Sequence, residues 1–288
     1  MKIRFWGVRG SVASSGPATR KIGGNTTCVE VESQGERLIL DAGTGVRALG
    51  DHLLEAARQG DRRVPIEASF LFTHLHWDHI QGFPFFAPAY VPGTELTLYG
   101  PSEAAGGSEE PMDLRGALAR QMEAPNFPVP LEAMGADKRF RDLDDGDRLA
   151  LGPFEILTRR LEHPQGCLGY RIEAEGHSVC FATDTEHRAD GELDEALLQL
   201  ARGVDLLIYD AQYTPDEYEG TFGPSRRGWG HSTHEAAARI ARACGAKTLA
   251  LFHHDPTHDD AFVARMERDA RGLFPWTRAA REGEVVRF

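Results

Sequence analysis

The sequence has little cysteine, no long apolar run and a shortage of basic charge. Cys28, Cys167, Cys180 and Cys244 form no C-x-x-C pair. They read as scattered core thiols, and a chain of this length needs no disulfide staples, so a reducing cytoplasm is the expected compartment. No stretch approaches the ~18 apolar residues of a membrane span. The start, MKIRFWGVRGSVASS, has no apolar core of the secretory-signal type. Lys and Arg number 32 against 44 Asp and Glu, a net charge of −12. That balance speaks against broad binding to nucleic acid or a membrane surface, while leaving room for a local cationic pocket. Gly7-Val-Arg-Gly10 and Gly43-Thr-Gly45 lack the Walker pattern and read as tight turns. There is no internal repeat and no low-complexity tract.

What is present is ordinary soluble-protein material. Hydrophobic residues make up 41% and charged residues 26% of 288 positions, enough for a sizeable core. Strand patterns are expected at Ile3–Trp6, Cys28–Glu32, Arg37–Leu40, Ala68–Thr73, Glu95–Tyr99, Phe154–Leu161, Leu168–Glu173, Ser178–Ala182, Asp205–Tyr209, Thr248–Phe252 and Glu284–Phe288. Helices are expected at Val46–Arg58, Met112–Glu123, Glu192–Ala201, His234–Cys244 and Asp260–Arg271, the fourth opening on a capping box, Ser232-Thr-His-Glu235. The order predicts one α/β layered domain over residues 1–288, with two sheets inside and helices outside. Residues 100–141, rich in Gly and Pro, read as an excursion or flap over a site.

The chemistry is concentrated where strands end. SFLFT runs into His74, EILTRRLE into His163, VCFAT into Asp184, LLIY into Asp210, and LALF into His253. Strand ends and the loops after them converge on one rim of a sheet, where sites are built. The densest piece is His74-Leu-His76-Trp-Asp78-His79. In an extended segment residues i and i+2 point the same way, so His74 and His76 can grip one ion. Asp78 and His79 follow where the chain turns toward a helix, and would face a neighbouring position. Imidazole and carboxylate suit zinc, manganese or iron.

His-x-His-x-Asp-His resembles the signature of the metallo-β-lactamase fold, an αββα sandwich of two mixed sheets packed between outer helices. The likeness extends over FWGVRGS…GGNTTCVEV, LDAGTGVRALG, THLHWDHIQGFPFF, HPQG, FATDT and GWGHST…LFHHDP. The last two groups look like the phosphodiesterase branch, which includes ribonuclease Z and bacterial cyclic-nucleotide and cyclic-phosphate phosphodiesterases. The resemblance implies that His74, His76 and His163 hold one divalent metal and Asp78, His79 and His253 a second. Asp184 would bridge them, with zinc first and manganese second as the metal. His254 competes with His253 as the last ligand; His253 is preferred because it follows the strand directly. Asp210 and His231 become the candidate catalytic pair, with His231 the proton donor to the leaving oxygen. Asp41 is assigned to a turn and to support of the ligands, and Arg226 and Arg227 to either a phosphate or plain solvated charge. His52, His177, His187, His234 and His258 read as surface or cap residues.

The implied function is hydrolysis of a small or cyclic phosphodiester, cyclic-nucleotide-like, by attack of a bridging hydroxide. The alternative keeps the metals and changes the bond to a lactone, thioester or other acyl ester. Dimerisation is typical of the resembling branch. Transfer RNA and duplex nucleic acid are expected not to bind. Ribonuclease Z usually grips the tRNA elbow with a long arm between the third ligand histidine and the bridging aspartate, and here His163 and Asp184 are only 21 positions apart.

Overall fold

The computed structural model describes residues 1–60, 66–102, 112–188 and 192–288. Strands β1 (Lys2–Gly7), β2 (Cys28–Ser33), β3 (Glu36–Leu40), β4 (Glu67–Leu71), β5 (Glu95–Pro101), β6 (Asp137–Leu143) and β14 (Val285–Arg287) form one seven-stranded sheet, ordered β14-β1-β2-β3-β4-β5-β6. The second sheet is ordered β13-β12-β11-β10-β9-β8-β7. Its strands are β7 (Arg148–Leu151), β8 (Phe154–Leu161), β9 (Cys167–Ala174), β10 (His177–Ala182), β11 (Leu206–Asp210), β12 (Thr248–Phe252) and β13 (Thr277–Ala279). Each sheet is mixed. Pairing is antiparallel from β14 to β3 and parallel from β3 to β6, then antiparallel from β7 to β10 and parallel from β10 to β13.

Alternation along the strands builds four layers. Val29, Val31, Leu38 and Leu40 point inward and meet Tyr170, Ile172, Phe181, Leu206, Ile208 and Phe252 of the other sheet. Ile39, Phe70 and Leu96 point outward, under Val46, Leu49 and Leu53 of α1 (Gly45–Arg58) and Leu114 and Leu118 of α3 (Leu114–Gln121). A four-residue helix, α2 (Trp77–Ile80), lies between them in the chain. On the far side, Leu207, Tyr209, Leu249 and Leu251 pack under α4 (Glu195–Leu200) and α6 (His234–Cys244). A short helix α5 (Pro215–Glu219) precedes α6, and α7 (Asp260–Leu273) packs beside it. No helix among the described residues is long and apolar enough to cross a membrane.

The structure departs from the sequence reading in several places, among them the strands β6, β7 and β13 and the helix α5, which were not expected. Residues 103–111 of the expected excursion lie outside the described residues. Its later part holds α3, where a helix was expected at Met112–Glu123, and the unexpected strand β6, which pairs in parallel with β5 along the sheet margin. The cap of α6 is Thr233, whose side chain accepts from the Ala236 amide; Ser232 instead donates its hydroxyl to the Thr185 carbonyl. A true capping box closes α5, between Thr214 and Glu217. Finally, His234 and His258 are buried rather than superficial, because His258 pairs with Glu217 at 2.8 Å and stacks on Phe262. All four cysteines are buried and free.

Candidate active site

The rim between the sheets collects the ends of β4, β8, β10, β11 and β12, and with them His74, His163, Asp184, Asp210 and His253. Asp41, Asp184 and His253 each adopt a left-handed backbone, with φ of 58°, 53° and 58°. Each such residue costs roughly 1–2 kcal/mol, and the rest of the fold holds them there.

His74, His76 and His163 form one group of ligand atoms lying within 4.8 Å of one another. His76 Nδ1 faces His163 Nε2 at 3.1 Å. Asp78, His79 and His253 form a second group, with His253 Nε2 3.2 Å from Asp78 Oδ2 and 3.3 Å from His79 Nε2. Asp184 stands between them. Its Oδ1 is 3.8 Å from His74 Nε2 and 4.0 Å from His163 Nε2, while its Oδ2 is 3.3 Å from both His79 and His253.

The donor set fits divalent metal. His74 Nε2 is buried and has no hydrogen-bond partner, which is costly unless an ion takes the lone pair. Burial and the neighbouring His79 push the His74 imidazole well down, into the neutral form that binds metal. Burial opposes charge on Asp184, but His253, His79 and His74 outweigh it and hold the carboxyl well below its ordinary range. Asp78 is likewise held low against burial, by His79 and His253. His79 is pushed up against burial by Asp184, Asp78 and Asp41. The cluster thus draws positive charge to the place between its carboxylates.

Outer contacts set each ring. Asp41 accepts from His79 Nδ1 at 2.8 Å and from the Thr73 amide at 2.8 Å. Gln212 Oε1 accepts from His253 Nδ1, and Gly230 O from His163 Nδ1. Gln165 Oε1 accepts from His76 Nε2. Such partners fix the tautomer and orientation of a ligand histidine. The Ser11 amide donates to Asp78 Oδ2 at 2.7 Å. Gly10 lies so close that a Cβ there would sit 2.3 Å from the His253 ring. Ser11, Gln165 and Gln212 escaped the reading of single residues, although Ser11 and Gln165 stand inside the stretches that carried the family likeness.

At the edge of the cluster, His231 Nδ1 lies 2.8 Å from Asp210 Oδ2 and 3.9 Å from Asp184 Oδ1. Burial disfavours the imidazolium, but Asp210 and then Asp184 and Asp78 raise its pKa to about 9. Asp210 Oδ1 accepts from the amides of Ser232 and Gln212. His254 takes no part: it is buried with Nε2 3.1 Å from the Ala280 carbonyl. Arg226 pairs with Asp255 and lies over Tyr213, and Arg227 forks onto Glu219, so neither guanidinium is directed at the cluster by these contacts.

Known proteins bear on the same features. Ribonuclease Z of Methanopyrus kandleri is 26% identical, with 89% of each chain covered. The crystal structure of a diphosphatase of the PhnP family superposes with a TM-score of 0.68 at 18% identity, covering 100% of this chain and 97% of that one. Human tRNase Z, short form, superposes at 0.64 and 20% identity, covering 100% and 99%. These relatives overturn the expectation that transfer RNA is no partner. Net charge sums the whole surface, whereas a nucleic acid meets one face of it. The short interval from His163 to Asp184 bears on how an RNA is gripped, and leaves open the access of its phosphodiester. Residues 36–254 match the beta-lactamase superfamily domain, and the chain is a hydrolase belonging to that superfamily.

Proposed function

We propose that the protein is a dinuclear-metal phosphodiesterase whose substrate is a small or cyclic phosphodiester. The observation that carries this reading is Asp184, which offers one oxygen to each of two donor groups. His74, His76 and His163 would hold one divalent ion, and Asp78, His79 and His253 the other; zinc and manganese both suit these ligands. When bound, such a pair acidifies water and neutralises charge on a phosphoryl oxygen.

The remaining work falls to the chain. His231 donates Nδ1–H to Asp210, which leaves Nε2 to give a proton to the departing oxygen. Asp210 orients the ring and favours its charged form. The phosphodiester reading is supported by this pair standing against the ligand cluster. An acyl ester has no specific observation in its favour.

The test is a hydrolysis screen of cyclic nucleotides, cyclic oligonucleotides, aryl phosphodiesters and a precursor transfer RNA, with metal measured on the same sample. Turnover of a cyclic or aryl phosphodiester by protein holding two ions is expected. A fully metal-loaded protein that cleaves none of these bonds would overturn the reading; cleavage of the precursor alone would overturn the small-substrate part of it.

A further inference from the structure

Three hydrogen bonds converge on the carboxylate of Glu186, two residues beyond Asp184. Oε1 accepts from the Tyr218 hydroxyl at 2.6 Å and from the Gly228 amide at 2.7 Å, and Oε2 accepts from the Gly230 amide at 2.8 Å. The Glu186 backbone is pinned in turn, its amide donating to the Glu162 carbonyl at 2.7 Å beside His163. The carboxylate therefore reaches from the ligand rim into the loop between α5 and α6.

That loop needs an anchor. Among the described residues, the backbone–backbone hydrogen bonds of residues 220–230 stay within 216–230. The loop nevertheless delivers two groups to the site. The Gly230 carbonyl accepts from His163 Nδ1 at 2.8 Å, and the next residue is His231. Gly230 has φ +84°, and a Cβ there would lie 2.2 Å from His163 Nδ1. Backbone and imidazole are thus in close register, and a loop displaced by an ångström loses the contact.

We propose that Glu186 is a positioning residue, which, by holding Gly230, sets the tautomer of His163 and the placement of His231; the inference rests on the metal-phosphodiesterase reading. With His163 Nδ1–H committed to the Gly230 carbonyl, the Nε2 lone pair is kept toward His76 and Asp184. Without the carboxylate, the Gly228 and Gly230 amides lose their acceptor, and the loop turns to water for it.

The experiment uses cobalt(II) as the probe on full-length protein. Wild type, Glu186→Ala, Glu186→Gln and Tyr218→Phe are titrated, read by visible absorption and by competition with a chelator. They are then assayed on a cyclic nucleotide and an aryl phosphodiester. Glu186→Ala should weaken cobalt binding by about 10–100-fold and alter its spectrum, since partners that orient a ligand are typically worth that much. It should also lose more rate on the cyclic nucleotide, whose leaving oxygen needs the proton. Glu186→Gln keeps one oxygen for the Gly230 amide and should recover part of both losses. Tyr218→Phe leaves that bond in place and should match wild type in spectrum and substrate ratio. If Glu186→Ala does not fold, Glu186→Gln against Tyr218→Phe makes the same comparison. Glutamate variants indistinguishable from wild type, or Tyr218→Phe losing as much as they do, would overturn the inference while leaving the phosphodiesterase reading intact. A wild type that binds no cobalt would overturn both.

Discussion

His231 Nδ1 and Asp210 Oδ2 are 2.8 Å apart, and the other Asp210 oxygen is held by the amides of Ser232 and Gln212. The carboxylate is therefore fixed before it fixes the imidazole. If the pair protonates the leaving oxygen, substrates should suffer from its loss in proportion to how badly they need a proton. An alkoxide leaves poorly without one, whereas nitrophenolate leaves as the anion. His231→Ala should cost ~10²–10⁴-fold on a cyclic nucleotide and far less on an aryl phosphodiester, with metal content unchanged. Asp210→Asn should show the same pattern more mildly. Equal losses on both substrates would point to positioning of the substrate instead.

Asp184 should be the residue on which the second ion depends. The purified, metal-replete protein is expected to carry close to two divalent ions per chain, and Asp184→Ala to lose at least one. Chelation should abolish turnover, and added zinc or manganese should restore it. Elemental analysis that finds at most one ion in the replete wild type would remove the dinuclear assignment.

Adjacent histidines should separate cleanly. His253 faces Asp78, His79 and Asp184, so His253→Ala should lose metal. His254 faces the Ala280 carbonyl, and burial together with Arg9 lowers its pKa to about 3, keeping it neutral. His254→Ala should leave metal content alone and cost about 1–3 kcal/mol of stability, by stranding a buried acceptor. Urea melts beside metal analysis on both variants check this. Metal loss from His254→Ala with His253→Ala unaffected would reverse the assignment.

Much of this site was legible because strand ends are. Apolar runs closing on His74, His163, Asp184, Asp210 and His253 needed only the rule that such ends share a rim. β6 escaped because its sequence, DKRFRDL, alternates charge with few apolar residues and lies at the sheet margin. β13 spans only three residues, too few for a period to show. The supports Gln165, Gln212 and Glu186 are ordinary polar side chains whose meaning comes from contacts 32 to 89 residues away. No local pattern carries that information. His258 was misjudged for the same reason, since its partner Glu217 stands across the fold on α5.

That pair gives the last prediction, on acid stability. Glu217 resists ionisation through burial, yet His258 and the Thr214 amide more than compensate and bring its pKa from 4.5 down to about 2. A carboxyl with a folded pKa below its unfolded one stabilises fully above the unfolded value, and the contribution fades as pH falls toward the folded value. Glu217 is only half-buried, and solvent screening leaves roughly 1–2 kcal/mol of that shift as stability. Glu217→Gln should therefore be less stable than wild type near pH 6, and the gap should narrow as pH drops from 5 to 3. Urea unfolding across that pH range reads the effect. A stability gap that stays constant down to pH 3 would detach Glu217 from the acid response.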